Sequence, residues 1–113
     1  MIRTISTEEI TVNIREMCIE ANHYLSPDMG EALKKAADAE QSPLGKKILS
    51  QLEENLVIAG AEMIPICQDT GMAVVFVEVG QEVHFQGGFL EDAINEGVRQ
   101  GYLEGFLRKS VVG

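Results

Sequence analysis

Apolar residues recur at helical spacing through the first half of this chain, then give way to a run of β-formers and a last helical stretch. Ser6-Thr7-Glu8-Glu9 has the form of a capping box, with Ser6 as N-cap and Glu9 three residues on. Ile10, Ile14, Met17, Cys18, Ala21 and Leu25 follow on one face and predict a helix to about Tyr24. Ser26-Pro27 opens a second helix, through Ala39, with proline in the first turn, where its missing N–H costs nothing. Its apolar stripe is thin (Met29, Leu33, Ala36, Ala37), which places it near the surface. Ser42-Pro43 repeats the device, and Leu44, Ile48, Leu52, Leu56 and Ala59 form a stripe expected to face the core.

Met72 to Val79 reads as a strand buried on both faces, continuing through a turn at Gly80-Gln81 into Glu82-Val83-His84-Phe85. Gln86-Gly87-Gly88 breaks the chain, and a final helix is predicted from about Phe89 to Lys109. Ala93, Gly97, Gly101 and Gly105 recur in it every four residues. Three glycines cost a helix about 3 kcal/mol in propensity. Such a ridge is reasonable only where another backbone approaches closely, be it a sheet, a helix or a second copy of the chain. The fold class that follows is α+β and helix-dominated: three helices, a short sheet element of one or two strands, then a long glycine-ridged helix.

At 113 residues the chain is expected to form a single domain spanning 1–113. Its net charge of −9 argues against nucleic acid and against anionic membrane surfaces. No run approaches transmembrane length, and Met1 to Ser6 lacks the apolar core of a signal peptide, so a cytoplasmic location is expected. The two cysteines, Cys18 and Cys67, read as thiols rather than as a disulfide.

The chemistry concentrates in Ile66-Cys67-Gln68-Asp69-Thr70-Gly71, where a thiol, an amide, a carboxylate and a hydroxyl share one bend between apolar stretches. Asp-Thr-Gly is turn chemistry, and a lone cysteine among apolar residues is commonly a small buried hydrophobe. The same group also suits a metal or cluster ligand flanked by substrate contacts. An aspartic-protease reading of Asp-Thr-Gly is disfavoured by the helix-rich remainder. A redox-active thiol is weak too, because no resolving cysteine lies near Cys67 and Asp69 would raise its pKa.

Pro65-Ile66-Cys67-Gln68-Asp69-Thr70-Gly71 resembles the signature of the class I (iron–sulfur) fumarate hydratase and L-tartrate dehydratase family, in its α-subunit or N-terminal region. Ala93-Ile94-Asn95-Glu96-Gly97-Val98-Arg99-Gln100-Gly101-Tyr102 is similar to the helix that follows there, as is the exit Leu107-Arg108-Lys109-Ser110. The resemblance implies a hydro-lyase that interconverts fumarate and L-malate, or the tartrate dehydratase counterpart. It implies a 4Fe–4S cluster held by three cysteines, with one iron open to a dicarboxylate substrate. Cys67 then stands as one cluster ligand and Gln68 as a substrate-carboxylate contact. Asp69 stands as a substrate contact and general base or its close partner.

The family's other two cluster cysteines have no counterpart here. The resemblance therefore implies an N-terminal fragment of an α-subunit-like chain, inactive alone and without a complete cluster. Its partners would be the remainder of the α-chain and a β-subunit or fused C-terminal domain, with self-association through the glycine helix also open. A reading from another class is a non-catalytic helical interaction module with the glycine ridge as its binding surface. Cys18 reads as a structural thiol and His23 as a solvated helix-end residue. His84 reads as a loop histidine, Arg99 and Arg108 as candidate anion contacts, and the paired lysines 34–35 and 46–47 as solvated helix faces.

Overall fold

The computed structural model describes residues 1–66 and 72–109. Its elements in order are β1 (Arg3–Ser6), α1 (Thr7–Ala21), α2 (Pro27–Ala39), α3 (Pro43–Glu62), β2 (Val83–Gln86) and α4 (Leu90–Glu104). They group into two units, residues 1–20 with 72–109, and residues 21–66. The helix-dominated α+β class is as the sequence predicts.

The first unit is a pair of strand-to-helix hooks. β1 runs directly into α1, and β2 runs through Gly87-Gly88 into α4. The strands pair in parallel, with Arg3 opposite Val83, Thr4 opposite His84, Ile5 opposite Phe85 and Ser6 opposite Gln86. Alternation sends Ile5, Val83 and Phe85 to one face, where they share an apolar hollow of about 370 Å³ with Ile10, Ile14, Leu90 and Ile94. The bend between β2 and α4 requires glycine, since Gly87 has φ +112° and a Cβ there would sit 2.7 Å from Thr7 Oγ1. Ser6 caps α1 as expected, its hydroxyl accepting from the Glu8 amide at 3.2 Å.

The helices α1 and α4 pack along the glycine ridge. A Cβ at Gly97 would meet Ile14 and the Thr11 carbonyl, one at Gly101 would meet Cys18 and the Arg15 carbonyl, and one at Gly105 would meet Ile19. Each step of four along α4 advances the contact along α1 in the same direction, so the two helices run parallel, as their strands do. Thr11 Oγ1 donates to the Ala93 carbonyl at 2.9 Å, and Arg15 reaches Gln100 Oε1 at 3.3 Å. The α1 backbone thus occupies the ridge that the sequence left open to a sheet, a helix or a second copy.

Several expectations need correction in this unit. β1 has only Thr4 and Ile5 as β-formers, too short a signal to mark it, and is a strand because β2 lies beside it. Residues 72–79 are not a strand: among the described residues no strand pairs with them, and Phe76 is 93% exposed. The β-forming side chains are present, but a ladder needs a neighbour. Helix α1 stops at Ala21 rather than near Tyr24, and Met17, expected on its buried face, is 57% exposed. Helix α4 stops at Glu104 rather than Lys109. There Phe106 takes a left-handed conformation (φ 54°), and the Leu107 amide reaches back to the Tyr102 carbonyl at 3.0 Å. That six-to-one bond is a Schellman stop, and it buries Leu107.

The second unit is the hairpin of α2 and α3. Both Ser-Pro starts sit where predicted, and Ser42 Oγ accepts from the Gly45 amide at 3.3 Å. The Glu40 carboxylate accepts from the Gln41 and Ser42 amides, tightening the turn before α3. Helix α2 buries no residue fully, as its thin stripe implies. The α3 stripe faces inward as expected only at Leu56 and Ala59, whereas Leu44, Ile48 and Leu52 are exposed. The half-buried face carries Gly45, Leu49, Glu53, Leu56 and Gly60, with Ala59 buried. Glu40 lies over Gly45 and the Tyr24 ring over Gly60, so close approach at two glycines sets the facing side. Apolar periodicity alone does not register such an approach.

Candidate functional site

Cys67, Gln68 and Asp69, with Thr70 and Gly71, lie outside the described residues. The approach to them is described. Helix α3 ends at Met63, whose left-handed backbone (φ 53°) turns the chain out of the helix. The Ile66 amide then donates to the Asn22 carbonyl at 2.7 Å, and Ile66 is buried. His23 Nε2 lies 3.1 Å from the Met63 carbonyl oxygen, and Tyr24 donates its hydroxyl to the Gly60 carbonyl at 3.2 Å. His23 is 2% exposed, the largest fully buried side chain among the described residues. The solvated helix-end role expected for it is therefore overturned. The signal was present as three adjacent residues, Asn22-His23-Tyr24, that can hydrogen-bond just past an apolar helical stripe. Their partners stand about forty residues away, where no local pattern finds them.

The other candidates fall elsewhere. His84 is in β2, paired opposite Thr4 and exposed, on the sheet face away from the apolar hollow. It is a strand histidine rather than a loop one. Arg99, read from the sequence as a candidate anion contact, is clamped by the Glu96 carboxylate on its own helix. The Arg99 hydrogen bond, helped by Gln100, holds the Glu96 carboxyl down to about 2, and Arg99 itself is raised. Arg15 is shared among Glu16, Glu104 and Gln100. Arg108 and the lysines at 34, 35, 46 and 47 are exposed, with Lys35 beside Glu31 at 3.4 Å.

Cys18 is half-buried beneath Gly101, and desolvation pushes its thiol up. A cluster ligand must be a thiolate, so this environment favours the structural role expected of it. Among the described residues no three of His, Cys, Asp and Glu gather as a metal site. The chain has two cysteines in all, and a 4Fe–4S cluster held by three does not fit that donor set. Among the described residues no helix is long and apolar enough to cross a membrane.

The family model for fumarate hydratase, described as "Fumarate hydratase (Fumerase)", matches residues 11–113. Among similar proteins, "Putative L(+)-tartrate dehydratase subunit alpha" of Methanocaldococcus jannaschii is 36% identical over 98 residues, 86% of this chain and 34% of that protein. "Fumarate hydratase class I, aerobic" of Escherichia coli K12 is 33% identical over 110 residues, 94% of this chain and 19% of that protein. "L(+)-tartrate dehydratase subunit alpha" of the same strain is 33% identical over 104 residues, 92% of this chain and 33% of that protein. The chain thus spans about a third or less of the length of these relatives. A match over nearly all its residues, running through the Cys67-Gln68-Asp69 motif, carries the assignment: the chain belongs to the fumarate hydratase family, whose named members are hydro-lyases.

Proposed function

We propose that this chain is one part of an iron–sulfur hydro-lyase that adds water reversibly to fumarate to give L-malate. The observation that carries the reading is the family match through residues 11–113, within which Cys67, Gln68 and Asp69 stand together. Cys67 supplies one thiolate to a 4Fe–4S cluster whose other cysteines come from outside these residues. Gln68 donates its amide N–H to a substrate carboxylate. Asp69 contacts the substrate and takes the proton from the carbon next to the departing hydroxyl, as general base or through a close partner.

Charge supports a shared site. The chain carries −9, and its Arg15 and Arg99 are already held by carboxylates. An acidic chain repels a dicarboxylate, so most of the cations that hold it come from a further stretch of α-chain, a β-subunit or a fused C-terminal domain. The 113 residues alone bind no complete cluster and turn over no substrate; fumarate hydration by the purified chain, free of contaminating enzyme, would overturn that. L-tartrate dehydratase is the second reading, favoured by the named α-subunits among its relatives. The interaction-module reading loses its proposed surface, since α1 fills the glycine ridge. We place the enzyme in the cytosol.

The test is anaerobic purification together with copurifying subunits, counting iron and sulfide and assaying malate–fumarate and tartrate turnover, with Cys67→Ser alongside. Cluster and turnover of one substrate in wild type, both lost in the variant, name the activity. A variant that keeps both removes Cys67 from the ligand set.

A further inference from the structure

Past the end of α1, three consecutive residues hold the exit of α3 at intervals of three. Tyr24 binds the carbonyl of Gly60, His23 that of Met63, and the Asn22 carbonyl receives the amide of Ile66. All six residues belong to the same unit. The last carbonyls of a helix have no partner within it, and Gly60 and Met63 are two of these. The ring N–H of His23 donates to the carbonyl of the left-handed residue itself, at the point where the chain changes direction. An ordinary side chain adopts that conformation at a cost of about 1 kcal/mol, so the surroundings must hold it. A ring buried to 2% exposure at a backbone carbonyl serves as a hydrogen-bond donor as well as filler.

We infer that His23 is a positioning residue for the Cys67-Gln68-Asp69 site: it fixes the turn at Met63, and with Asn22 it holds residues 63–66, the stretch that precedes that motif. The inference rests on the reading of that motif as the active site. Loss of the donor removes the side-chain partner of the part-buried Met63 carbonyl, and residues 63–66 then sample other exits.

The experiment compares His23→Leu and His23→Gln with wild type, and uses Gly97→Ala as a variant that destabilises the other unit. Hydrogen exchange at the Ile66 amide and the alkylation rate of Cys67 are followed in metal-free protein. Iron retention, kcat and KM are followed in the anaerobic enzyme with its subunits. In His23→Leu, exchange at Ile66 and iron release are expected to rise about tenfold, with kcat falling more than KM rises. His23→Gln, whose amide nitrogen reaches where Nε2 was, should restore most of this. Gly97→Ala should lower the melting temperature while leaving Ile66 exchange and iron retention near wild type. If His23→Leu does not fold, His23→Asn takes its place, because its shorter amide cannot reach Met63. Unchanged exchange and iron release in the donor-less variant, or changes no larger than those in Gly97→Ala, would overturn the inference. Absence of iron and turnover in wild type sinks the iron–sulfur reading instead. His23 is then judged on Ile66 exchange and Cys67 alkylation alone.

Discussion

Ile14 and Gly97 approach so closely that a Cβ at position 97 would lie 2.6 Å from the Ile14 Cβ. The Thr11 carbonyl lies 2.7 Å from the same point, so backbone as well as side chain would have to move. In an exposed helix, glycine to alanine gains about 1 kcal/mol of propensity. At Gly97 the overlap outweighs that gain, and Gly97→Ala should destabilise by about 1–3 kcal/mol. Gly30 provides the contrast, because it lies within α2 with nothing within 4 Å of its would-be Cβ. Gly30→Ala should stabilise by about 0.5–1 kcal/mol. Urea unfolding of the two variants should give shifts of opposite sign; stabilisation by Gly97→Ala would show that the ridge is not in tight contact.

The end of α4 makes a second prediction. Phe106 holds a left-handed conformation with its side chain 87% exposed, so it bears backbone strain and buries little in return. Phe106→Gly should raise stability by about 0.5–1 kcal/mol, and the Leu107-to-Tyr102 hydrogen bond should persist. A loss of stability would mean that the Phe106 ring is covered in solution.

These residues show what a sequence discloses and what it withholds. Both Ser-Pro helix starts were legible because proline and serine act locally on the chain entering a helix. The glycine ridge was legible as a close approach, since no other arrangement offsets glycines recurring along a helix, but its partner was not. α1 meets it across more than eighty residues of sequence. The same reason hides β1, whose four residues become a strand through β2, and it mistakes 72–79 for one. In the proposed site, Cys67, Gln68 and Asp69 stand out by composition. His23 does not, because its role depends on a carbonyl forty residues on.

Glu96 gives a pH dependence with a definite sign. Its carboxyl is lowered from 4.5 to about 2, first by the hydrogen bond from Arg99 and then by that from Gln100. A depressed carboxylate contributes stability above its unfolded value and loses it as the pH falls through the folded value. The stability advantage of wild type over Glu96→Gln should therefore be fully present above about pH 4.5 and fade toward about pH 2. The pair is exposed, so added salt should shrink the advantage at every pH. An advantage that grows on acidification would contradict the pairing.

The last prediction separates the two thiols. Cys18 packs against the α4 ridge, and burial raises its pKa, so little of it is thiolate near pH 8. Iodoacetamide should modify it several-fold more slowly in the folded chain than in urea, and the rate should climb with pH beyond the range where an ordinary thiol levels off. Cys18→Ala should cost about 1 kcal/mol by vacating space between α1 and α4, while leaving iron content and turnover of the assembled enzyme unchanged. Cys67→Ser should do the reverse, sparing stability in the metal-free chain and abolishing iron uptake. Iron loss in Cys18→Ala beyond what its lower stability accounts for would move the ligand assignment into the α1–α4 seam. The burial that suppresses the Cys18 thiolate would then have to yield when the cluster binds.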